Sequence, residues 1–313
     1  MSTLLRLGTR ASALALAQSG QIATDLRGLG IDVRLVPLET PGDRDSSPLP
    51  GRAHEGIFVS SVRDALLDGT IDVAVHSFMD LPTDHTPGLM VAAVPPREDP
   101  RDVLISRPEF AALGHGLNAL PVGGRVGTCS ARRAAWVHRH RQDLDVVPIR
   151  GNIDARIARV LTGEYDAIIL AAAGLNRLRC SSPRQDTIDI DDLVPAPAQG
   201  ALALECRVAD ATTLRLIQSL DHLGTHACAL AEREVLSAID PTDRVPVGAV
   251  AIMRGGVLRL LVDISDADGR NRTILRTGAN IAGDAKARAI ALGRSAAIAM
   301  MDSHARTVQA LAS

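Results

Sequence analysis

The hydrophobic pattern of the chain alternates short continuous apolar runs with amphipathic stretches, as expected for strands buried on both faces and helices that cover them. Leu4 to Leu7 reads as a first strand, Gly8-Thr9-Arg10-Ala11 as a turn, and Ser12 as a helix N-cap. Leu14, Ile22 and Leu26 then share a helical face that Gly28 and Gly30 terminate, and Ile31, Val33 and Leu35 alternate as a second strand. From Thr40 to Glu55 the run is polar and rich in Pro and Gly, which predicts a mobile loop. Phe58, Val59, Val62, Leu66 and Leu67 form the next helix face, and Ile71 to Val75 is a buried strand of the kind found in parallel sheets.

The second part of the chain repeats this plan. Leu7-Gly8-Thr9-Arg10-Ala11-Ser12 is echoed by Val126-Gly127-Thr128-Cys129-Ser130-Ala131, and the helix end, Gly stop and strand at 67–75 are echoed at 161–169. Two similar βα domains follow, with a ligand cleft expected between them. Pro95 to Pro100 reads as the crossing into the second domain and Pro195 to Gly200 as the crossing back, so that Ala201 to Glu205 adds a strand to the first. Beyond Ser219 the pattern changes: a helix from Cys228 to Ile239, strands near Val247 to Met253 and Leu258 to Ile264, and a last helix from Ala282. The expectation is an α/β chain of two βα domains, 1–97 with 199–218 and 98–198, followed by a smaller α+β domain at 219–313.

Chemistry concentrates between Arg125 and Arg156. A strand ending at Val126, a turn through Gly127 to Ser130 and a helix opening beside Arg132 and Arg133 describe an anion site, because a helix N-terminus offers free N–H groups and positive dipole. Arg150 and Arg156 follow a second short strand, Val146 to Ile149, and in a parallel sheet they face the same crevice. Solvated surface arginines are the plainer alternative.

Composition narrows the field. At 313 residues and 46% hydrophobic, the chain can bury a large core in two or three domains. A net charge of −2 argues against a general nucleic-acid binder and favours a small polyanion as the ligand of a local arginine cluster. Cys129, Cys180, Cys206 and Cys228 show neither metal-type spacing nor disulfide density, which predicts no metal and a cytoplasmic location. The N-terminus has no signal-peptide pattern and no run reaches membrane-spanning length, so no membrane partner is expected. Lys286 is the only lysine, so positive charge is written almost wholly as arginine.

Seven motifs then carry a resemblance: L-G-T-R-A-S-A-L-A-L-A-Q near the N-terminus, H-S-F-M-D-L-P at 76–82, R-E-D-P-R-D at 97–102, V-G-T-C-S-A-R-R, R-G-N-I-D-A-R, A-G-L-N-R-L, and P-A-P-A-Q-G-A-L-A-L-E-C-R. In this order, and over essentially the whole chain, they resemble the porphobilinogen deaminase (hydroxymethylbilane synthase) family. The resemblance implies two domains like periplasmic binding proteins plus a third α+β domain, and polymerisation of porphobilinogen into a linear tetrapyrrole of the heme pathway with loss of ammonia. It assigns the substrate carboxylates to Arg10, Arg132, Arg133, Arg150, Arg156 and Arg177, with Ser12, Ser77, Thr128, Cys129, Ser130 and Gln199 as neighbours. Asp80 matches the catalytic aspartate, placed to stabilise a cationic azafulvene; a turn or cap residue is its alternative. Phe58 would pack on a pyrrole face, or serve simply as core. A monomer is expected.

The departures matter as much. Met79 stands where the family pattern H-S-M-K-D has lysine, Glu55 where a loop lysine is usual, and Asp243 where C-x-[VA]-P-[VI]-G supplies the cysteine that anchors the family's dipyrromethane cofactor. Aspartate makes no thioether, so the cofactor is expected not to be covalently attached; Cys129 is the only nearby thiol that offers a substitute tether. Two further readings stay open: a paralogue that deaminates one pyrrole and transfers it to another nucleophile, and a non-catalytic pyrrole-binding paralogue.

Overall fold

A computed structural model describes residues 4–38, 59–180, 184–240 and 245–312, with side chains to 306. The loop expected over 40–55 lies outside them. In chain order the elements are β1 (Leu5–Arg10), α1 (Ala13–Gly28), β2 (Val33–Leu38), α2 (Ser60–Leu67), β3 (Val73–Ser77), β4 (Leu89–Ala93), β5 (Asp102–Ser106), β6 (Arg125–Gly127), α3 (Ala131–His140), β7 (Asp145–Val147), α4 (Ile153–Leu161), β8 (Ala167–Ala171), α5 (Ala172–Leu178), β9 (Gln185–Thr187), β10 (Leu202–Arg207), α6 (Ala211–Gln218), α7 (Leu223–Ile239), β11 (Val247–Arg254), β12 (Val257–Ile264), β13 (Thr273–Asn280) and α8 (Ala285–Ala312). Two compact units result, Met1–Glu98 with Gly200–His226 and Asp99–Gln199 with Ala227–Ser313.

In the first unit the sheet order is β2-β1-β3-β10-β4. The first three strands are parallel, and β10 runs antiparallel between β3 and β4. Strand alternation divides the core. Leu5, Leu7, Val73, Val75, Leu202 and Leu204 pack against Ile22 and Leu26 of α1, whereas Ile71 and Ala74 face Val62 and Leu66 of α2. Gly8 sits where that second layer closes: a Cβ there would lie 2.2 Å from Ile71 Cδ1. Leu67, expected on the buried face, is 50% exposed, because α2 ends there and Gly69 turns the chain at φ +79°.

The sheet of the second unit has the order β7-β6-β8-β5-β9, the same arrangement with β5 as its antiparallel strand. Here Gly127 takes the place of Gly8, and an added Cβ would meet Tyr165, Ile168 and Ile149 at 2.9 to 3.1 Å. The strand read at 71–75 pairs in parallel, as does β7 with β6, but each sheet as a whole is mixed. β5 and β10 leave the two Pro-rich crossings, and a strand entering from there meets the sheet in the opposite sense.

The same unit contains an antiparallel sheet, β11-β12-β13. Gly255 and Gly256, at φ +56° and +76°, supply the positive-φ pair that a two-residue hairpin requires. One face of this sheet (Val247, Ala249, Ala251, Leu258, Leu260, Val262, Ile264) is buried with Ala227, Ala231 and Val235 of α7 and Ala289, Ala296 and Met300 of α8. Among the described residues no helix is long and apolar enough to cross a membrane.

Candidate active site

Both units place polar residues at the C-terminal ends of their parallel strands, where the chain turns into a helix. In the first unit β1 ends at Arg10. Ser12 caps α1 by accepting the Ala15 N–H at 3.3 Å, and buried Thr9 donates to the Ala15 carbonyl at 3.0 Å. The neighbouring strand β3 ends at Ser77, and a single 3-10 turn, Phe78–Asp80, buries Phe78 and leaves Asp80 exposed. Gln18 of α1 donates to Ser77 Oγ at 2.9 Å, tying the two strand ends together. Met79 beside Asp80 is half-buried.

Behind this edge lies a buried ion cluster. Arg63 of α2 grips Glu205 of β10 through Nε at 3.1 and 3.0 Å and Nη2 at 2.8 Å, and His76 Nε2 stands 3.3 Å from Glu205 Oε2. Burial pushes the Glu205 carboxyl up, but His76 and Arg63 outweigh it and bring it down to about 2. His76 directly precedes Ser77, so this cluster fixes the strand that delivers Ser77 and Asp80.

In the second unit Thr128, Cys129 and Ser130 link β6 to α3. The Thr128 N–H donates to the Val147 carbonyl at 3.0 Å, the Ser130 N–H to Thr128 Oγ1 at 3.1 Å, and Ser130 Oγ caps α3 by accepting the Arg133 N–H at 3.4 Å. Cys129 is exposed, with Sγ 3.2 Å from the Ile149 carbonyl.

Arg132 and Arg133 converge on Asp102, the fully buried first residue of β5. Arg132 Nη1 donates to Oδ2 at 2.7 Å; Arg133 Nε and Nη2 donate to Oδ1 at 3.0 and 2.7 Å. Gln199 completes the cluster, donating through Nε2 to the Pro100 carbonyl at 2.6 Å and to Asp102 at 3.2 Å, and accepting from Arg132 at 3.4 Å. Burial pushes the Asp102 carboxyl up, but the charges of Arg132 and Arg133 outweigh it and hold the group below the usual carboxylate range. One carboxylate thus faces two guanidinium ions. The net positive charge favours an anionic ligand, and Arg132 Nε is buried with no hydrogen-bond partner.

Arg150 follows β7, which neighbours β6, and Arg156 on α4 donates through Nε to the Gly151 carbonyl at 2.7 Å. Arg177 lies in the last turn of α5. All three are half-buried. The structure thus gathers Thr128, Ser130, Arg132, Arg133 and Gln199 into one network; in the first unit β1, which ends at Arg10 before the Ser12 cap, runs parallel to β3, which ends at Ser77 one 3-10 turn before Asp80. Phe58, Glu55 and Asp243 lie outside the described residues. Asp102, Gln18, Arg63 and Glu205 are the partners that motif reading passed over, although Asp102, Gln18 and Glu205 stand inside quoted motifs. No cluster of three potential metal ligands occurs among the described residues.

Comparison with known proteins adds relatives. Residues 5–215 match the family model described as "Porphobilinogen deaminase, dipyromethane cofactor binding domain". The chain is 40% identical to the porphobilinogen deaminase of Nocardia farcinica, covering 97% of this chain and 87% of that one. It is 41% identical to that of Thermobifida fusca, over 99% and 97%. Against porphobilinogen deaminase 1 of Streptomyces coelicolor the identity is 46%, over 79% and 77%. Among solved structures, a probable amino-acid ABC transporter extracellular-binding protein from Bacillus subtilis aligns over 70% of this chain and 92% of its own, with 10% identity and a TM-score of 0.42.

Proposed function

Because the chain belongs to the porphobilinogen deaminase family, we propose that it is a transferase of tetrapyrrole biosynthesis that condenses porphobilinogen, with release of ammonia, toward hydroxymethylbilane. What supports this reading is that β1 and β3 are parallel neighbours, β1 ending at Arg10 just before the Ser12 cap and β3 leading through one 3-10 turn to Asp80.

Each substrate pyrrole brings two carboxylates. Arginine forks are suited to them because a guanidinium donates two parallel hydrogen bonds to one carboxylate. Arg10, Arg132, Arg133, Arg150, Arg156 and Arg177 are assigned that work, with Ser12, Ser77, Thr128, Ser130 and Gln199 supplying neutral donors and acceptors. As the aminomethyl C–N bond breaks and ammonia leaves, the pyrrole ring takes up positive charge. The Asp80 carboxylate, set against the pyrrole N–H, stabilises that cation. Attack by the α-carbon of a second pyrrole forms the new carbon–carbon bond, and the α-proton is lost.

The family's dipyrromethane, when bound, supplies the pyrrole on which the chain grows. The donor set fits its carboxylates: Arg132 Nε is buried and without a hydrogen-bond partner, in the first turn of the helix that Ser130 caps, next in sequence to Arg133. The anchor differs. Asp243 stands at the position of the attaching cysteine, so the group would be held here without a thioether, and Met79 and Glu55 stand where the family pattern has lysines. Asp243 favours a second reading, in which one deaminated pyrrole passes to another nucleophile.

The test is porphobilinogen consumption with ammonia release and product analysis. Asp80→Asn keeps the shape and removes the charge, and release is expected to fall about a hundredfold. Undiminished release in that variant, or no consumption by the parent, refutes the assignment.

A further inference from the structure

The face of the third sheet turned away from α7 and α8 carries a different chemistry from the face they cover. Strand alternation sends Val250, Ile252 and Arg254 of β11, Val257, Arg259 and Leu261 of β12, and Arg276 and Gly278 of β13 to this side. The register sets Ile252, Arg259 and Gly278 in one cross-strand row and Val250, Leu261 and Arg276 in the next. Gly278 contributes no side chain, and an added Cβ would come 2.8 Å from the Leu258 carbonyl. A groove of about 650 Å³ opens over this glycine and its neighbours.

The lining is one-sided in charge. It includes three arginines and no acidic residue, in a chain whose net charge is −2. Arg276 bonds Asp191 at 2.9 Å, where both side chains are well exposed and the pair contributes little. No described acidic side chain pairs with Arg254 or Arg259. Ile252 is 48% and Val257 36% exposed, so the floor between the cations is apolar. An apolar floor rimmed by guanidinium groups complements a molecule with apolar rings and several carboxylates. Its volume lies within the roughly 300–1,000 Å³ of small-molecule sites.

We propose that this outer sheet face is a second binding site, for a carboxylated oligopyrrole of the class the chain produces. The ligand class rests on the function proposed above; the site itself rests on the sheet.

The probe is coproporphyrin, a tetracarboxylate, titrated by fluorescence anisotropy against the parent protein, the double variant Arg254→Glu with Arg259→Glu, and Arg150→Leu. Arg150, Ile252, Arg254 and Arg259 all lie in one folded unit, and circular dichroism checks that each variant is folded. Reversal of two charge-assisted contacts is expected to weaken binding about a hundredfold or more, whereas Arg150→Leu leaves it unchanged. A second variant, Ile252→Asp, puts an acid on the apolar floor without touching an arginine and is expected to weaken binding as well. Parent-like affinity in the double variant overturns the proposal. So does loss of binding in Arg150→Leu alone, which would place the probe with the reacting pyrroles, and so does preference for an acidic peptide over coproporphyrin, which would indicate a protein partner. If the sheet binds coproporphyrin while porphobilinogen is not consumed, the reaction assignment fails and the site stands.

Discussion

Replacing Glu205 by glutamine tests the buried cluster behind the strand that carries Ser77 and Asp80. Glu205 is 2% exposed and accepts three hydrogen bonds from Arg63, with His76 Nε2 at 3.3 Å. Glutamine keeps the volume but leaves Arg63 without a counterion, and breaking a buried pair in this way costs about 3–5 kcal/mol. The carboxyl itself supplies a second measure. It is brought from an ordinary 4.5 down to about 2, and at about 1.4 kcal/mol per pH unit this corresponds to roughly 3 kcal/mol of preference for the charged, folded form. The folded-state value is depressed, so this stability is complete above about pH 4.5 and is lost as pH falls toward 2. Urea unfolding followed by far-UV circular dichroism is the assay. Glu205→Gln is expected to be about 3 kcal/mol less stable than the parent near pH 7, with more than half of that difference gone near pH 3. A difference under about 1 kcal/mol near pH 7, or one that does not shrink in acid, refutes the reasoning.

Asp102→Asn removes the single carboxylate that holds Arg132 and Arg133 and is expected to lower stability by about 3–5 kcal/mol, read as a reduced urea midpoint. Because the Asp102 carboxyl is held below its ordinary range, its contribution is lost in acid, and parent and variant should converge as pH drops through the carboxylate range. Arg150→Leu and Arg156→Leu are each expected to cost about 1.5–3 kcal/mol in porphobilinogen affinity by titration calorimetry; two variants that bind as the parent does would remove both arginines from the site. Intact-protein mass spectrometry is expected to give the mass of the bare chain, and a dipyrromethane adduct on any residue would restore the cofactor-anchored mechanism.

Elements with strong local signals were legible in the sequence. The turn at Gly8, its echo at Gly127 and the cap at Ser12 were readable because each is a local requirement: a close approach that excludes a Cβ, and an N–H in want of an acceptor. β13 was not read. Thr273–Asn280 is half-exposed along most of its length, so its alternation carries little apolar contrast. The antiparallel sense of β5 and β10 was likewise hidden, since the direction of a strand depends on a crossing that leaves no periodicity of its own.

The candidate site divides along the same line. Arg132 and Arg133 declared themselves by charge and by their place at a helix start, yet the sequence does not say toward what a guanidinium turns. Here both turn to Asp102, which belongs to another strand some thirty residues earlier. Long-range counterions of this kind change the chemistry of the residues they hold. An arginine facing open solvent must lose side-chain freedom when it meets a ligand, whereas one already clamped has lost that freedom on folding and offers a fixed donor. The buried Nε of Arg132, without a hydrogen-bond partner beside that clamp, is such a donor. A carboxylate that reaches it gains a charge-assisted bond while the protein orders nothing further, and losing Asp102 should therefore weaken anion binding even though the anion never touches Asp102.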